Sequence, residues 1–255
     1  MCVLALVANQ AIAAVPPAPK LPADAYFLMD ATTGQVLVDH NGDLSLPPAS
    51  LTKIMTSYVL AEEVDAGRAS LDDMIKVSRN AWSQNPVFKG SSLMWIEPGK
   101  PVSLADLERG IVISSGNDAS VAVAEHLAGT ESSFVDMMNQ LASELGLDNT
   151  VYRNPHGLPH PEHRTTARDL ATLSGALING HPEHYKIYKE QSFTYNGIKQ
   201  YNRNSLLRSD ATVDGLKTGY TSEAGYGLVA SAQREDMRLV SVVLGSASKR
   251  TRASE

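Results

Sequence analysis

Strand-type patterns stand at the two ends of this 255-residue chain, and helical patterns fill the region between them. Near the beginning, the apolar runs 25–30 and 35–39 are joined by a short turn, which predicts a β-hairpin. Near the end, a polar turn joins the runs 226–232 and 237–245, and 213–218 is another candidate strand. Because hairpins pair antiparallel strands, we expect a mixed α/β (α+β) fold with one antiparallel sheet built from both chain ends. The helical middle would pack against that sheet as an insertion.

Helix starts are indicated by Ser/Thr-x-x-Asp patterns and by proline. Three such patterns, beginning at Ser103, Ser133 and Thr166, predict N-termini because the hydroxyl can accept the N–H three residues later. A helical pattern of apolar residues also follows Pro48 and continues to about Gly67.

Composition excludes several classes of protein. The formal net charge of −6 argues against a nucleic-acid binder, which needs a basic face to displace counterions. Cys2 is the only cysteine, so neither a disulfide framework nor a cysteine-based zinc site can form. No apolar run reaches the ~20 residues that a membrane-spanning helix needs.

Residues 1–14 are predicted to be a signal peptide. They form a short apolar run that ends in small residues, as at a secretory cleavage site, and a proline-rich stretch follows. A basic segment is missing before the run, so we expect the natural start to lie upstream; a buried N-terminal helix is the alternative. Loss of the signal would remove Cys2 and leave residues 15–255 without cysteine, which suits an oxidising compartment.

The first candidate catalytic pair is Ser50 and Lys53, at a predicted helix start. At this spacing the two side chains lie one turn apart on the same helix face. A serine hydroxyl is a weak nucleophile that needs a base, and a lysine can be that base if burial or positive neighbours lower its pKa. The helix N-terminus also favours negative charge on the serine oxygen. The alternative is a helix-capping serine beside a solvated lysine.

The second candidate is Ser115-Gly116-Asn117. A second serine can relay a proton between the nucleophile and a leaving group, and the asparagine amide can orient both Lys53 and a substrate backbone. The alternative is a loop before the predicted helix 119–127.

The third candidate is Lys217-Thr218-Gly219, at the end of a predicted strand. The positive charge of Lys217 and the hydroxyl of Thr218 together suit the anionic end of a substrate. Gly219 would remove a side chain where a substrate backbone approaches closely. The alternative is a strand end followed by a turn glycine.

Together the three motifs are far more specific than each one alone. Their order, S-x-x-K, S-x-N and K-T-G, is that of penicillin-binding proteins and class A β-lactamases. The chain resembles the low-molecular-mass penicillin-binding proteins of the type-5 group, which are D-alanyl-D-alanine carboxypeptidases. The resemblance covers essentially residues 23–255. Further matching segments are Pro48–Tyr58, Asn85–Met94, Arg109–Ile111, Asn202–Asn204, Asp214–Gly219 and Ala224–Tyr226.

The resemblance implies the penicilloyl-serine transferase fold of class A β-lactamases, an antiparallel sheet flanked by helices with a helical subdomain. It implies a serine-type carboxypeptidase that removes the terminal D-alanine of peptidoglycan stem peptides, is inhibited by β-lactams, and uses neither cofactor nor metal. Ser50 would be acylated, while Lys53, Ser115 and Asn117 would handle the proton transfers.

The resemblance also implies how substrate is held. Lys217, Thr218 and Arg252 would bind the terminal carboxylate, although a surface arginine at the chain end is the alternative for Arg252. The backbone N–H groups of Ser50 and Tyr220 are candidates for the oxyanion hole. Family members commonly have His at the position of Tyr220. This chain departs from the family pattern there, although a tyrosine side chain can also donate a hydrogen bond.

A periplasmic location follows from the same resemblance. Residues 15–255 would be the catalytic domain, and the closing helix, small β-domain and amphipathic membrane anchor of the family are not recognisable in this sequence. Membrane contact would come only through that anchor, which would make the parent protein peripheral on the outer face of the inner membrane.

Two other functions stay open. A β-lactamase would need a carboxylate base before Lys217; Glu162 lies in the right stretch, but its surroundings do not match the usual pattern. The second is a non-catalytic peptidoglycan-binding module. The motifs also do not distinguish a carboxypeptidase from an endopeptidase. The spacing of His156, His160 and His163 resembles a metal site, although prolines interrupt any helix that would align them.

Overall fold

Both ends of the described chain lie in one five-stranded antiparallel sheet. The computed structural model describes residues 18–254, so the predicted signal segment 1–14 lies outside the described residues. The strands are β1 (Ala25–Asp30), β2 (Val36–His40), β3 (Met74–Lys76), β4 (Pro101–Ser103), β5 (Ser192–Tyr195), β6 (Ile198–Tyr201), β7 (Val213–Thr221), β8 (Gly225–Arg234) and β9 (Met237–Ser246). The large sheet has the order β2-β1-β9-β8-β7 with antiparallel neighbours throughout. The predicted sheet built from both chain ends is confirmed.

Strand β9 lies at the centre of this sheet. Its residues Val240, Val242 and Leu244 point to one face and are buried, because side chains two positions apart share a face. Strand β1 pairs along it from Ala25 opposite Leu244 to Asp30 opposite Leu239. Helix α5 (Ala167–Gly180) packs on β1 and β9, which closes the core on that face.

Most of the remaining helices belong to the middle of the chain, and the last one follows β9. They are α1 (Lys53–Asp65), α2 (Leu104–Arg109), α3 (Asn117–Ala128), α4 (Glu131–Glu144), α6 (Pro182–Tyr185), α7 (Leu206–Ser209) and α8 (Thr251–Ser254). Nine consecutive residues of α1, Lys53–Ala61, are buried, so the helix is enclosed on every side. It contacts α3, α4 and α5, and its first turn therefore lies between the helices and the sheet.

Two of the three predicted helix caps are confirmed and one is wrong. Ser103 and Thr166 each accept the predicted N–H, from Asp106 and Asp169 respectively, at 3.1 Å. Helix α4 begins earlier than the pattern at Ser133 predicts, because the Thr130 hydroxyl accepts the Ser133 N–H at 3.1 Å. Three hydroxyl residues lie within residues 130–133, and the first of them, Thr130, is the cap.

Two small two-stranded sheets were not predicted. Strands β3 and β4 pair with each other, as do β5 and β6, outside the large sheet. Each strand has only three or four residues, which is too short for an alternating pattern to be recognised in the sequence.

Candidate active site

The predicted site residues gather at one cleft between the sheet and the helices, with a volume of about 730 Å³. Seven of the nine line it: Ser50, Ser115, Asn117, Thr218, Gly219, Tyr220 and Arg252. The other two, Lys53 and Lys217, lie directly behind, each hydrogen-bonded to a lining serine.

The wall of the cleft is positively charged. Its charged side chains are Lys89, Arg203, Lys249 and Arg252. Within residues 18–254, no aspartate or glutamate belongs to the lining. The cleft therefore suits a ligand that carries a carboxylate.

A tight turn fixes Ser50. Residues Ala49–Thr52 form a 3-10 turn that continues directly into α1. The Thr52 hydroxyl donates to the Ala49 carbonyl oxygen at 2.8 Å. Gly157 fits so closely that an added Cβ would lie 1.8 Å from that oxygen. Ser50 thus stands at a helix start, as the motif spacing predicts.

Lys53 is buried and faces only uncharged acceptors. Its Nζ donates to Ser50 Oγ at 3.3 Å, to Asn117 Oδ1 at 2.7 Å and to the His156 carbonyl oxygen at 2.5 Å. Burial lowers the pKa of Lys53 to about 7; the negative charge of Asp118 opposes this effect and the positive charge of Arg203 adds to it. A large share of Lys53 is uncharged near neutral pH, as a general base must be.

Ser115 reaches the same point from the helical side. The chain passes from α2 through a π-helical turn, Gly110–Ser114, and Ser115 then has the left-handed values φ 59° and ψ 35°. Asn117 begins α3, and its N–H donates to the Ser92 carbonyl oxygen at 2.9 Å. This backbone course presents Ser115 Oγ to Lys217.

Lys217 is directed at Ser115. Its Nζ donates to Ser115 Oγ at 2.9 Å and to the Thr218 carbonyl oxygen at 3.2 Å. Burial lowers the pKa of Lys217 well below its usual range, and three nearby cations add to the effect. Lys217 can therefore act on the Ser115 hydroxyl as well as on a substrate.

Gly219 meets the protein's own backbone. An added Cβ would lie 3.0 Å from the Pro48 carbonyl oxygen and 3.1 Å from Leu51 Cγ. The space that the missing side chain frees is therefore used by β7 to pack against the turn that carries Ser50. Internal packing explains this glycine; a close approach of substrate stays a prediction.

Arg252 is buried beside the cleft. Its Nη1 donates to the carbonyl oxygens of Gly219 and Gly227, at 3.1 and 3.2 Å, and its Cζ lies 5.7 Å from the centre of the Tyr226 ring. Burial lowers the pKa of Arg252 to about 10, so the side chain stays charged at neutral pH. The alternative of a surface arginine is wrong.

Tyr220 presents an aromatic face to the cleft. Its side chain is 53% exposed. The ring stacks on Tyr226 with centroids 4.3 Å apart and planes at 27°. The stacking fixes the ring, and Tyr220 follows Gly219 directly on β7. The role of its backbone N–H in an oxyanion hole stays a prediction.

The histidines with metal-like spacing have other partners. His163 Nε2 lies 2.8 Å from the Thr52 hydroxyl, His156 Nε2 lies 3.8 Å from a Glu131 oxygen, and His160 is exposed. Burial lowers the pKa of His156 to about 3 and that of His163 to about 4. Within the described range 18–254, no group of three or more His, Cys, Asp or Glu residues is arranged to hold a metal ion.

Sequence reasoning missed several parts of the site. His156 and Ser92 contribute carbonyl oxygens, which leave no trace in a side-chain pattern. Arg203 lines the cleft and its Nε donates to the Ser114 carbonyl oxygen at 3.3 Å. Asp118 follows Asn117 directly, and that adjacency is the signal that could have identified it.

Comparison with known proteins connects this geometry to a family. A family model described as D-alanyl-D-alanine carboxypeptidase, Peptidase S11, matches residues 10–248. The D-alanyl-D-alanine carboxypeptidase DacC of Escherichia coli K12 is 51% identical over 240 residues, which cover 93% of this chain and 60% of the relative. The chain thus spans about 60% of the length of this curated relative.

Solved structures show the same fold. Penicillin binding protein 6B from Escherichia coli aligns with a TM-score of 0.91 and 47% identity, over 96% of this chain and 78% of that one. Penicillin-Binding Protein D2 from Listeria monocytogenes, in its ampicillin-bound form, aligns with a TM-score of 0.81 and 31% identity, over 94% and 96%. The predicted penicilloyl-serine transferase fold is confirmed by these likenesses.

Proposed function

This chain belongs to the D-alanyl-D-alanine carboxypeptidases of peptidase family S11, and from that premise we propose that it removes the terminal D-alanine from peptidoglycan stem peptides through an acyl-enzyme on Ser50. The observation that carries the proposal is the position of Lys53. Its Nζ lies 3.3 Å from Ser50 Oγ, in a buried setting that lowers its pKa to about 7. A nucleophile and a base within reach of each other are what acyl transfer by a serine requires.

Acylation begins when Lys53 takes the Ser50 proton. The Ser50 oxygen then attacks the carbonyl carbon of the penultimate D-alanine, and the backbone N–H groups of Ser50 and Tyr220 would hold the oxyanion that forms. Collapse breaks the peptide C–N bond. The leaving amine takes the proton of Ser115, whose hydroxyl Lys217 holds at 2.9 Å. Ser115 takes up in return the proton that Lys53 received from Ser50, so Lys53 is neutral again. Free D-alanine departs and an ester remains on Ser50.

Water completes the cycle by attacking the ester carbonyl, with Lys53 as the base again. The C–O bond to Ser50 breaks, and the shortened peptide leaves with a new carboxylate. Recognition of the substrate's own terminal carboxylate is assigned to Lys217, Thr218 and Arg252, since fixed cations and a hydroxyl donor bind such a group strongly.

A β-lactam would acylate the same serine. Attack by Ser50 opens the four-membered ring, so the amine that is expelled stays attached to the acyl group. One relative is known in an ampicillin-bound form. We therefore propose that β-lactams are covalent inhibitors of this chain.

The experiment combines a labelled penicillin with a D-alanyl-D-alanine pentapeptide. We expect a stable adduct that maps to Ser50, and release of one D-alanine per peptide. Ser50→Ala should abolish both results, whereas Ser57→Ala, which changes a buried serine of the following helix α1, should retain them. Adduct formation on another residue, or no D-alanine release, would contradict the proposal.

The same assay separates the two alternatives. A β-lactamase would turn the penicillin over, and a non-catalytic module would not react. The candidate base of a β-lactamase, Glu162, is 67% exposed in its side chain and pairs with Arg153 at 3.1 Å. Glu162 does not belong to the lining of the cleft, which favours a long-lived adduct.

We propose a periplasmic location for the working protein. The proposal is supported by the predicted signal segment and by the bacterial carboxypeptidases to which the chain is related. Among residues 18–254, no helix has both the length and the apolar character to cross a bilayer. Cell fractionation with a periplasmic marker tests the location.

A further inference from the structure

One buried carboxylate next to the site has no role in the steps above. Asp118 is 0% exposed, and its oxygens accept four main-chain N–H groups. Oδ1 accepts from Met94 at 2.8 Å and Ala119 at 2.9 Å, and Oδ2 accepts from Trp95 at 2.8 Å and Ile96 at 3.2 Å. A carboxylate that accepts consecutive backbone donors fixes the local course of the chain.

The segment that Asp118 binds is held in an unfavourable conformation. Trp95 has φ +74°, in the left-handed region that side chains other than glycine rarely adopt. Trp95 is 48% exposed, so packing of its side chain is a weak reason for this backbone conformation. The hydrogen bonds to Asp118 on both sides of Trp95 supply the restraint.

This segment continues into the wall of the cleft. Ser92 stands two residues before Met94, lines the cleft, and accepts the Asn117 N–H at 2.9 Å. Gly116 packs tightly here, since an added Cβ would lie 3.0 Å from the Met94 nitrogen. The loop that presents Ser115 and the wall formed by Ser92 are therefore joined through the segment that Asp118 holds.

We propose that Asp118 is a positioning residue for acylation, which clamps residues 94–96 against α3 and places a carboxylate directly after Asn117, whose Oδ1 accepts from Lys53 Nζ. The inference rests on the proposed function, because acylation of Ser50 is the step that it tunes. Two effects follow and they are separable. The clamp sets where Asn117 and Ser92 stand. The charge sets how readily Lys53 holds its proton, since the negative charge of Asp118 raises the pKa of Lys53 against the effect of burial.

Four variants separate the two effects. Asp118→Asn removes the charge and turns an acceptor into a donor. Asp118→Glu keeps the charge but displaces the oxygens. Trp95→Gly, alone and combined with Asp118→Asn, lets the segment adopt its conformation without strain. Asp136→Asn is the control, because it removes an exposed carboxylate from the neighbouring helix α4.

The measurement is the rate constant for acylation by a labelled penicillin between about pH 5 and pH 9, corrected for the folded fraction by circular dichroism. Asp118→Asn should lose about 100-fold in rate, the scale of a misplaced site, and the acidic limb of its profile should move to lower pH. Addition of Trp95→Gly should restore part of the rate and leave the limb displaced. Asp118→Glu should lose rate without moving the limb, and the control should match wild type.

The inference would be overturned if Asp118→Asn changed neither the acylation rate constant nor the position of the acidic limb of its pH profile. A loss of rate that Trp95→Gly does not relieve and that leaves the limb in place would also overturn it, because Asp118 would then support the fold only. Failure of both Asp118 variants to fold, with Trp95→Gly giving no rescue, has the same meaning. If wild type itself is not acylated, the proposed function fails and not this inference alone.

Discussion

In the proposed mechanism, the protonation of one buried amine, Lys53, decides when Ser50 can react. Lys53 and Lys217 are both enclosed, but each donates to uncharged oxygens and neither has a carboxylate partner within hydrogen-bond distance among the described residues. Burial without such a partner disfavours the ammonium form. The site therefore holds a usable base at neutral pH without any histidine that titrates there, since burial lowers the pKa of His156 to about 3.

The first prediction concerns pH. Lys53 must be neutral to take the Ser50 proton, and its pKa is lowered to about 7. The acylation rate should therefore rise with pH through about 7 and fall about tenfold per unit well below it. Stopped-flow measurement of the acylation rate constant between about pH 5 and pH 9 tests this pH dependence. Lys53→Ala should remove at least about 100-fold of the rate, the usual share of a general base; a variant that kept a tenth of the rate would contradict the role.

The second prediction concerns Arg252. A guanidinium can grip a carboxylate through two parallel hydrogen bonds, whereas Lys217 is a point charge that is already engaged with Ser115. Arg252→Ala should lower kcat/KM for a D-alanyl-D-alanine peptide by about 10- to 100-fold, the worth of a hydrogen bond to a charged group. Penicillin acylation should fall less. Arg250→Ala, which changes an exposed neighbour, is the control, and equal losses in both assays would argue against a peptide-specific contact.

At this scale the sequence predicted which side chains gather at the cleft but not the hydrogen bonds that they make. Ser50, Lys53 and Ser115 were predictable because their spacing and order are a chemical signature. The acceptors of Lys53 could not be predicted, since a carbonyl of a loop 103 residues away supplies one of them. Gly219 was recognised as constrained, yet the group that constrains it belongs to a turn distant in the sequence.

At the scale of elements, a chain of ionisable groups joins three helices behind the site. His181 lies between Glu62 and Asp65 of α1, at 3.1 and 2.6 Å. His184 of α6 contacts Glu108 of α2 at 2.7 Å. Both histidines and Glu108 are buried. The far end of α1, which begins directly after the turn that holds Ser50, is thereby tied to α2, the helix that leads to Ser115.

The third prediction concerns the stability of this junction. Burial acts to lower the pKa of His184, but its hydrogen bond to Glu108 and the surrounding carboxylates Asp65 and Glu183 outweigh this and raise it. A raised pKa in the folded state means that the stabilisation is complete below the unfolded pKa and is lost as pH rises through the folded value.

His184→Ala should therefore cost about 3–5 kcal/mol at acidic pH, because it leaves the buried Glu108 carboxylate unpaired, and less at alkaline pH. Chemical denaturation at about pH 6 and about pH 9 measures the difference. His160→Ala removes an exposed histidine as the control. A cost that is equal at both pH values, or larger at the alkaline one, would show that His184 is not charged in the folded protein.

Elements with strong local patterns were predictable and the short ones were not. The end hairpins follow from apolar runs and turns, and the caps at Ser103 and Thr166 follow from local hydrogen bonding. Strands β3 to β6 are stabilised by packing against the hydrophobic core, to which they contribute Ile75, Val102 and Phe193. The π-helical turn Gly110–Ser114 that delivers Ser115 has no local signature either.

At the scale of the whole molecule, the sheet joins residues from both ends of the chain. Strand β9 pairs with β1 on one side and β8 on the other, so the first hairpin has no sheet partner until the last strand is present. An isolated hairpin is only marginally stable in water. The hydrophobic core is therefore complete only when β9, the last strand of the described chain, is in place.

The fourth prediction is that a chain ending at residue 236, which lacks β9, does not fold. Thermal scans by circular dichroism should show no cooperative transition, and labelled penicillin should not react. The chain of residues 18–255 is the control, and it should show both. A truncated chain that unfolds cooperatively would mean that β8 and β7 can complete the core without the central strand.

The uneven distribution of charge has a consequence for the encounter with ligands. The molecule has a net charge of −6, yet the lining of its cleft carries four cations and, within the described residues, no acidic side chain. Opposite signs at different places make the protein an electric dipole that turns an approaching anion toward the cleft. Such long-range attraction is screened within about 8 Å at physiological ionic strength. The association rate constant of an anionic penicillin should therefore fall as salt is added, while that of its uncharged ester should not, so the path of approach is selected before any contact forms.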